Sequence, residues 1–133
     1  PPKSDPSLLN LLHNWKLSEV QTAFWDNPES AQQQVITNAF QNYTDWWENT
    51  SIPKLTTLNN GLLPGDCSGS LEINGLKFGF VGLNTAYLQL AGGDFNNKLH
   101  LDIRQLNAVC NEHAADWVKQ YDAFFLRTIL SNG

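Results

Sequence analysis

Residues 61–89, GLLPGDCSGSLEINGLKFGFVGLNTAYLQ, decide the fold. From Ser70 the apolar period is two: Leu71 and Ile73 alternate with Glu72. Asn74-Gly75 is a type I′ turn signal, and Lys77 to Leu83 returns as a strand. That strand ends in Asn84-Thr85, polar residues placed where a strand can present them to a ligand. Downstream, LHLDIRQLNAVC carries a capping-box pattern, with Asp102 followed three residues later by Gln105, and predicts a helix running to about Lys119. Leu106, Val109, Cys110, Ala114 and Trp117 form its apolar side. The run AFFLRTIL at 123–130 then reads as a short strand buried on both faces of a parallel sheet. Strand, loop, helix, strand is the βαβ order, so the fold class is α/β.

Upstream of this unit the chain reads helical. Ser7 is a plausible N-cap for a helix whose Leu8, Leu11, Leu12 and Trp15 fall at i, i+3, i+4, i+7, with His13 off the stripe. A second helix is expected over 30–48, with Val35, Ile36, Ala39, Phe40, Tyr43, Trp46 and Trp47 on one broad face. Pro53 and NNGLLPGD then open a long loop, and AGGDFNN at 91–97 is a second glycine-rich one. The 133 residues, 41% of them hydrophobic, suit one domain, with a helical region at 7–50 and an αβ region at 61–130.

A net charge of −5 with only 8 Lys plus Arg gives no basic footprint, which argues against nucleic acid as the main partner. No apolar run approaches the roughly 20 residues of a membrane span, and PPKSDPSLLN lacks a signal-peptide pattern, so the expectation is no membrane partner and a cytoplasmic location. The absence of Met, even at position 1, suggests a processed or excised piece. Cys67 and Cys110 have no metal-knuckle or redox spacing and are expected as free thiols. The sequons at Asn42 and Asn49 carry little weight without a secretory signal.

The chemical motifs are sparse. Three histidines lack partners at metal-ligand spacing, and Asp102 beside His100 reads better as a helix cap. Cys110 and His113 are helix neighbours at i, i+3, with a buried thiol beside a surface imidazole as the plainer reading. The glycines at 61, 65, 69, 92 and 93 match no phosphate-cradling pattern, and Lys77, Arg104 and Arg127 are single cations, the last inside a strand. A hydrolase using Asp66, Asp94 or Asp102 with His100 is a minor alternative. Trp15, Trp46 and Trp117 read as core; Trp25 and Trp47 are left open between core and an exposed stacking face.

The residues from LPGDCSGSLE through LNTAYLQL and LDIRQL to DAFFLRTIL resemble the middle of a calcineurin-like metallophosphoesterase, in the bacterial branch with a helical insertion. FQNYTDWWENTSIP is similar to that insertion, and the likeness spans roughly residues 8–128. The resemblance implies a partial phosphoesterase sheet, a hairpin plus a parallel strand, with N-terminal helices. It also implies a divalent metal pair (Mn, Fe or Zn) in the parent. The family's D-x-H, G-D-x-x-[DN], G-N-H-[DE], T-H-H-P and G-H-x-H motifs are absent from this chain, so no catalytic or metal residue is carried over. The chain is therefore expected to be a segment that is inactive alone, with Asn84 and Thr85 as the substrate-proximal residues at a strand's carboxyl end. Asn84 has a second reading as a turn cap. The alternative function is a stand-alone protein-binding or regulatory module. In either case an open sheet edge invites self-association or a protein partner.

Overall fold

The computed structural model describes residues 5–55, 57–90 and 99–128. Four short helices come first: α1 (Pro6–Asn14), α2 (Ser18–Asp26), α3 (Ala31–Ala39) and α4 (Gln41–Asn49). The α1 helix starts earlier than Ser7. Asp5 is its N-cap, accepting from Ser7 N at 2.9 Å, and Pro6 takes the first helical position, where a missing N–H costs nothing. Its stripe is as expected, with Leu8, Leu11 and Trp15 buried. The α2 helix has no counterpart among the expected elements; it inserts Phe24 and Trp25 into the same core.

The single helix expected over 30–48 is two. Ser30 caps α3 through Gln33 N, but Phe40 leaves helical geometry at φ −96°, ψ 9° and separates α3 from α4. The break rotates the second half out of phase, so no residue of α4 is buried and Trp46 is 51% exposed rather than core. Trp25, by contrast, is buried, at 4% exposure, and Trp47 is half-buried.

The sheet has the order β1-β2-β3-β4, built from β1 (Asn59–Asn60), β2 (Cys67–Ile73), β3 (Leu76–Leu83) and β4 (Ala123–Thr128). The hairpin is as expected: Ile73 pairs with Leu76 across Asn74 and Gly75, whose φ values of 53° and 81° are the left-handed pair a type I′ turn demands. β4 runs parallel to β3, from Phe78↔Ala123 to Leu83↔Thr128. The fold is therefore mixed α/β with N-terminal helices and a four-stranded mixed sheet.

The connection between β3 and β4 departs from expectation. Its helix stops at Val109, and α5 (Ile103–Val109) and α6 (Ala114–Val118) flank a turn with Asn111 and Glu112 at φ 54° and 66°. Asn107 holds that turn. Its carbonyl accepts from Cys110 N and Glu112 N, and its side chain accepts from Ala114 N. The apolar side survives the break, since Val109, Cys110 and Trp117 bury against Val81 and Leu83, with Leu106 and Ala114 packed on them.

Pairing places Ser68, Val81, Leu83 and Phe124 on the sheet face under α5 and α6. The opposite face carries Leu71, Ile73, Leu76, Phe78, Phe80 and Phe125, with Phe80 stacked on Phe125 at 5.2 Å. Leu55 packs on this face at Gly69. β4, expected to be buried on both sides, is an edge strand: Phe125, Leu126 and Arg127 are exposed, which also explains how a charge is tolerated there. Residues 91–98 and 129–130 of the expected loop and strand lie outside the described residues. No described helix is long and apolar enough to cross a membrane.

Candidate functional site

The carboxyl end of β3 is where polar side chains gather. Asn84 is fully buried and its side chain is committed twice. Its Nδ2 donates to the Pro64 carbonyl at 2.8 Å, and its Oδ1 accepts from Ala86 N at 3.1 Å, closing a turn. Thr85 is buried beside it, and its carbonyl accepts from His100 N. These two residues thus sit at the strand's end as the sequence places them, with Asn84 engaged in holding the backbone.

The centre of the network is Asp66, 2% exposed. Its carboxylate accepts from Asn84 N at 2.8 Å, Leu63 N at 3.1 Å and Gln105 Nε2 at 3.1 Å. Burial pushes its carboxyl up to about 6, against the hydrogen bonds from Asn84, Leu63 and Gln105, which favour the charged form. Gln105 is fully buried; Nε2 also reaches the Asn84 carbonyl at 3.0 Å, while Oε1 completes the capping box with Asp102 N. One side chain therefore ties the 61–66 loop, the end of β3 and the start of α5. Sequence reasoning found the capping box but missed this second role, because nothing local tells which way an amide or carboxylate turns.

The other candidates are distributed elsewhere. His100 Nδ1 is hydrogen-bonded to the Tyr87 hydroxyl, and its ring meets Trp15 edge-on at 5.7 Å. Trp15, Phe24, Trp25 and Tyr87 are the aromatic core of the helical half, and burial pushes the Tyr87 phenol upward. Asp102 caps α5 and binds Arg104, whose guanidinium lies 2.9 Å from it and 3.4 Å from Asp26. Cys110 is buried and His113 exposed at the start of α6, with both cysteines free. Burial raises the Cys67 and Cys110 thiols, which weakens a nucleophilic role for either. Lys77 lies at the hairpin end, where its N–H meets Asp122. His13 is exposed on α1, and Asp94 lies outside the described residues. Among the described residues no three His, Cys, Asp or Glu side chains are placed to hold a metal ion.

Beside this network a cleft of about 470 Å³ opens between α4 and residues 58–66. Tyr43, Thr44, Trp47 and Glu48 line one wall; Lys54 also lines the cleft, with Nζ 4.8 Å from the Trp47 ring centre. The other wall is a hydrogen-bonded turn: Gly61 N donates to the Asp66 carbonyl, and Asp66 N to that of Leu63. Through the Asn84–Pro64 bond the cleft adjoins the carboxyl end of β3.

No family model, no curated protein and no solved structure matches the chain.

Proposed function

We propose that this chain is the helical insertion and central αβ region of a calcineurin-like metal-dependent phosphoesterase and does not hydrolyse phosphoesters alone. The runs LPGDCSGSLE, LNTAYLQL and LDIRQL suggest the family. The observation that supports it most is the arrangement around β3: a parallel β3–β4 pair joined by helices on one face, polar residues at the carboxyl end, and an apolar opposite face on which Leu71, Ile73, Leu76 and Phe125 are exposed among the described residues. On this reading, further strands of a parent would cover the apolar face opposite α5 and α6 and pair with β4.

The metal pair of that family does not fit the donors described here. Asp66 is taken by three donors, His100 Nδ1 by Tyr87, and Asp102 by the α5 N-terminus and Arg104. In this reading the metal ligands come from other sequence, and the present residues shape the surroundings. Two measurements test it. The reading frame upstream of Pro1 should encode D-x-H and G-N-H-[DE] motifs. The purified chain with added manganese should show no chelator-sensitive hydrolysis of an aryl phosphodiester; turnover would overturn the assignment of the ligands to other sequence.

The second reading, a protein-binding or regulatory module, draws on the same exposed face and the β4 edge, which would recruit a second copy or a strand-adding partner. A start codon directly before Pro1, together with a stable complex in light scattering or pull-down, would favour it over the first.

A further inference from the structure

We propose that the cleft between α4 and residues 58–66 binds a small organic cation of the quaternary ammonium class, which takes the place of Lys54 on the Trp47 ring. Three observations point to a cation. First, the ring already holds one: the Lys54 ammonium lies 4.8 Å from its centre. Indole is the aromatic side chain that attracts cations most strongly, and quaternary ammonium groups are the ligands such rings recognise. Lys54 is exposed and its primary ammonium is strongly hydrated, so its own hold on the ring is at the weak, exchangeable end of such contacts. A quaternary ammonium has no N–H to keep in water and loses less on leaving it.

Second, the negative groups of the cleft are not spent on Lys54. The Glu48 carboxylate lines the same cleft and, among the described residues, pairs with no cation. Asp66, the other carboxylate there, is committed to Asn84, Leu63 and Gln105. The last turn of α4 holds no basic residue, so the carbonyl end of that helix adds its partial negative charge beside Trp47 and Glu48. Third, α4 buries none of its residues, and Tyr43 and Trp47, one helical turn apart, both line the cleft. Two aromatic side chains and an unpaired carboxylate around about 470 Å³ suit a cation with an apolar shell: the rings take its methyl groups and Glu48 its charge.

The inference stands apart from the phosphoesterase reading, since binding needs neither metal nor turnover, and either can fail without the other. The test is calorimetric titration of the intact chain, at low salt, with choline and with 3,3-dimethyl-1-butanol, which has the same shape with carbon in place of the charged nitrogen. Saturable binding of choline, roughly tenfold or more tighter than the neutral isostere, is the expected result. Trp47→Leu should weaken choline binding roughly tenfold, and Trp47→Phe should restore part of it. Glu48→Gln should weaken it about threefold and flatten its salt dependence. Lys54→Gln should strengthen it about threefold, because the resident ammonium leaves the ring, an outcome that a merely structural Lys54–Trp47 contact does not produce. Circular dichroism identifies any variant that fails to fold; Lys54→Gln, at an exposed position, then carries the test. No saturation by choline with either the wild type or Lys54→Gln, equal binding of the neutral isostere, or binding that Lys54→Gln leaves unchanged or weakens would overturn the proposal.

Discussion

Gln105 Nε2 lies 3.1 Å from the buried Asp66 carboxylate, 39 positions away in sequence, and is the side chain through which α5 grips the loop ahead of β2. The same amide reaches the Asn84 carbonyl and closes the capping box on Asp102, so three segments meet on one residue with no exposed surface. A buried carboxylate that loses a donor keeps its desolvation cost and forfeits the compensation.

Gln105→Ala is accordingly expected to lower unfolding stability by about 2–4 kcal/mol, combining a charged hydrogen bond with a helix cap. Urea denaturation followed by circular dichroism measures it. A loss below about 0.5 kcal/mol, the range of an ordinary surface change, would show that the contact contributes little.

Asp66 gives the chain a pH-dependent component. Its folded value, about 6, exceeds the ordinary 3.8, so the folded state holds the proton more tightly than the unfolded state. The associated stability is fully present below about pH 4 and is lost as pH rises through about 6, by an amount on the order of 3 kcal/mol. Asp66→Asn cannot titrate, so the stability difference between wild type and variant should be larger at pH 5 than at pH 7.5. A difference that shrinks on acidification would mean the hydrogen bonds outweigh burial.

A methyl group at Gly61 would lie 2.5 Å from Val109 Cγ1 and 2.6 Å from Asp66 Cβ. Gly61→Ala should therefore cost about 1–3 kcal/mol through overpacking. Gly75→Ala meets no neighbour but is held at φ 81°, so its cost should be about 1 kcal/mol from the backbone alone. Thermal unfolding of the two variants separates steric from conformational cost.

Leu71 and Ile73, 42% and 50% exposed on the uncovered sheet face, bury little in the monomer. The double variant Leu71→Thr, Ile73→Thr should leave stability within about 1 kcal/mol while raising the concentration at which light scattering detects association. Unchanged association would locate the contact elsewhere.

Much of the αβ half was legible because its signals are local. Asn74-Gly75 fixes its own turn, and Asp102 with Gln105 caps a helix from within four residues. The breaks at Phe40 and at Asn111-Glu112 were hidden, since an apolar stripe continues across each and only tertiary packing shows that the chain has turned. The exposure of β4 was hidden for a similar reason: AFFLRT reads as an interior strand by composition, and composition does not reveal whether a neighbour exists. At the site, the place of Asn84 and Thr85 was readable from strand polarity. The role of Asp66 was not, because a carboxylate after Pro-Gly reads as a solvated turn until Asn84 and Gln105 are seen to face it.

The parallel pairing of β3 with β4 also sets an order of assembly. The β2–β3 hairpin closes over two residues, whereas β4 can join only after the whole α5–α6 connection has been laid down. Local pairings carry the smaller chain-closure cost and form faster. Chain-closure cost alone therefore predicts that the hairpin forms before β4 docks, which would leave the far edge of β3 open in the interval.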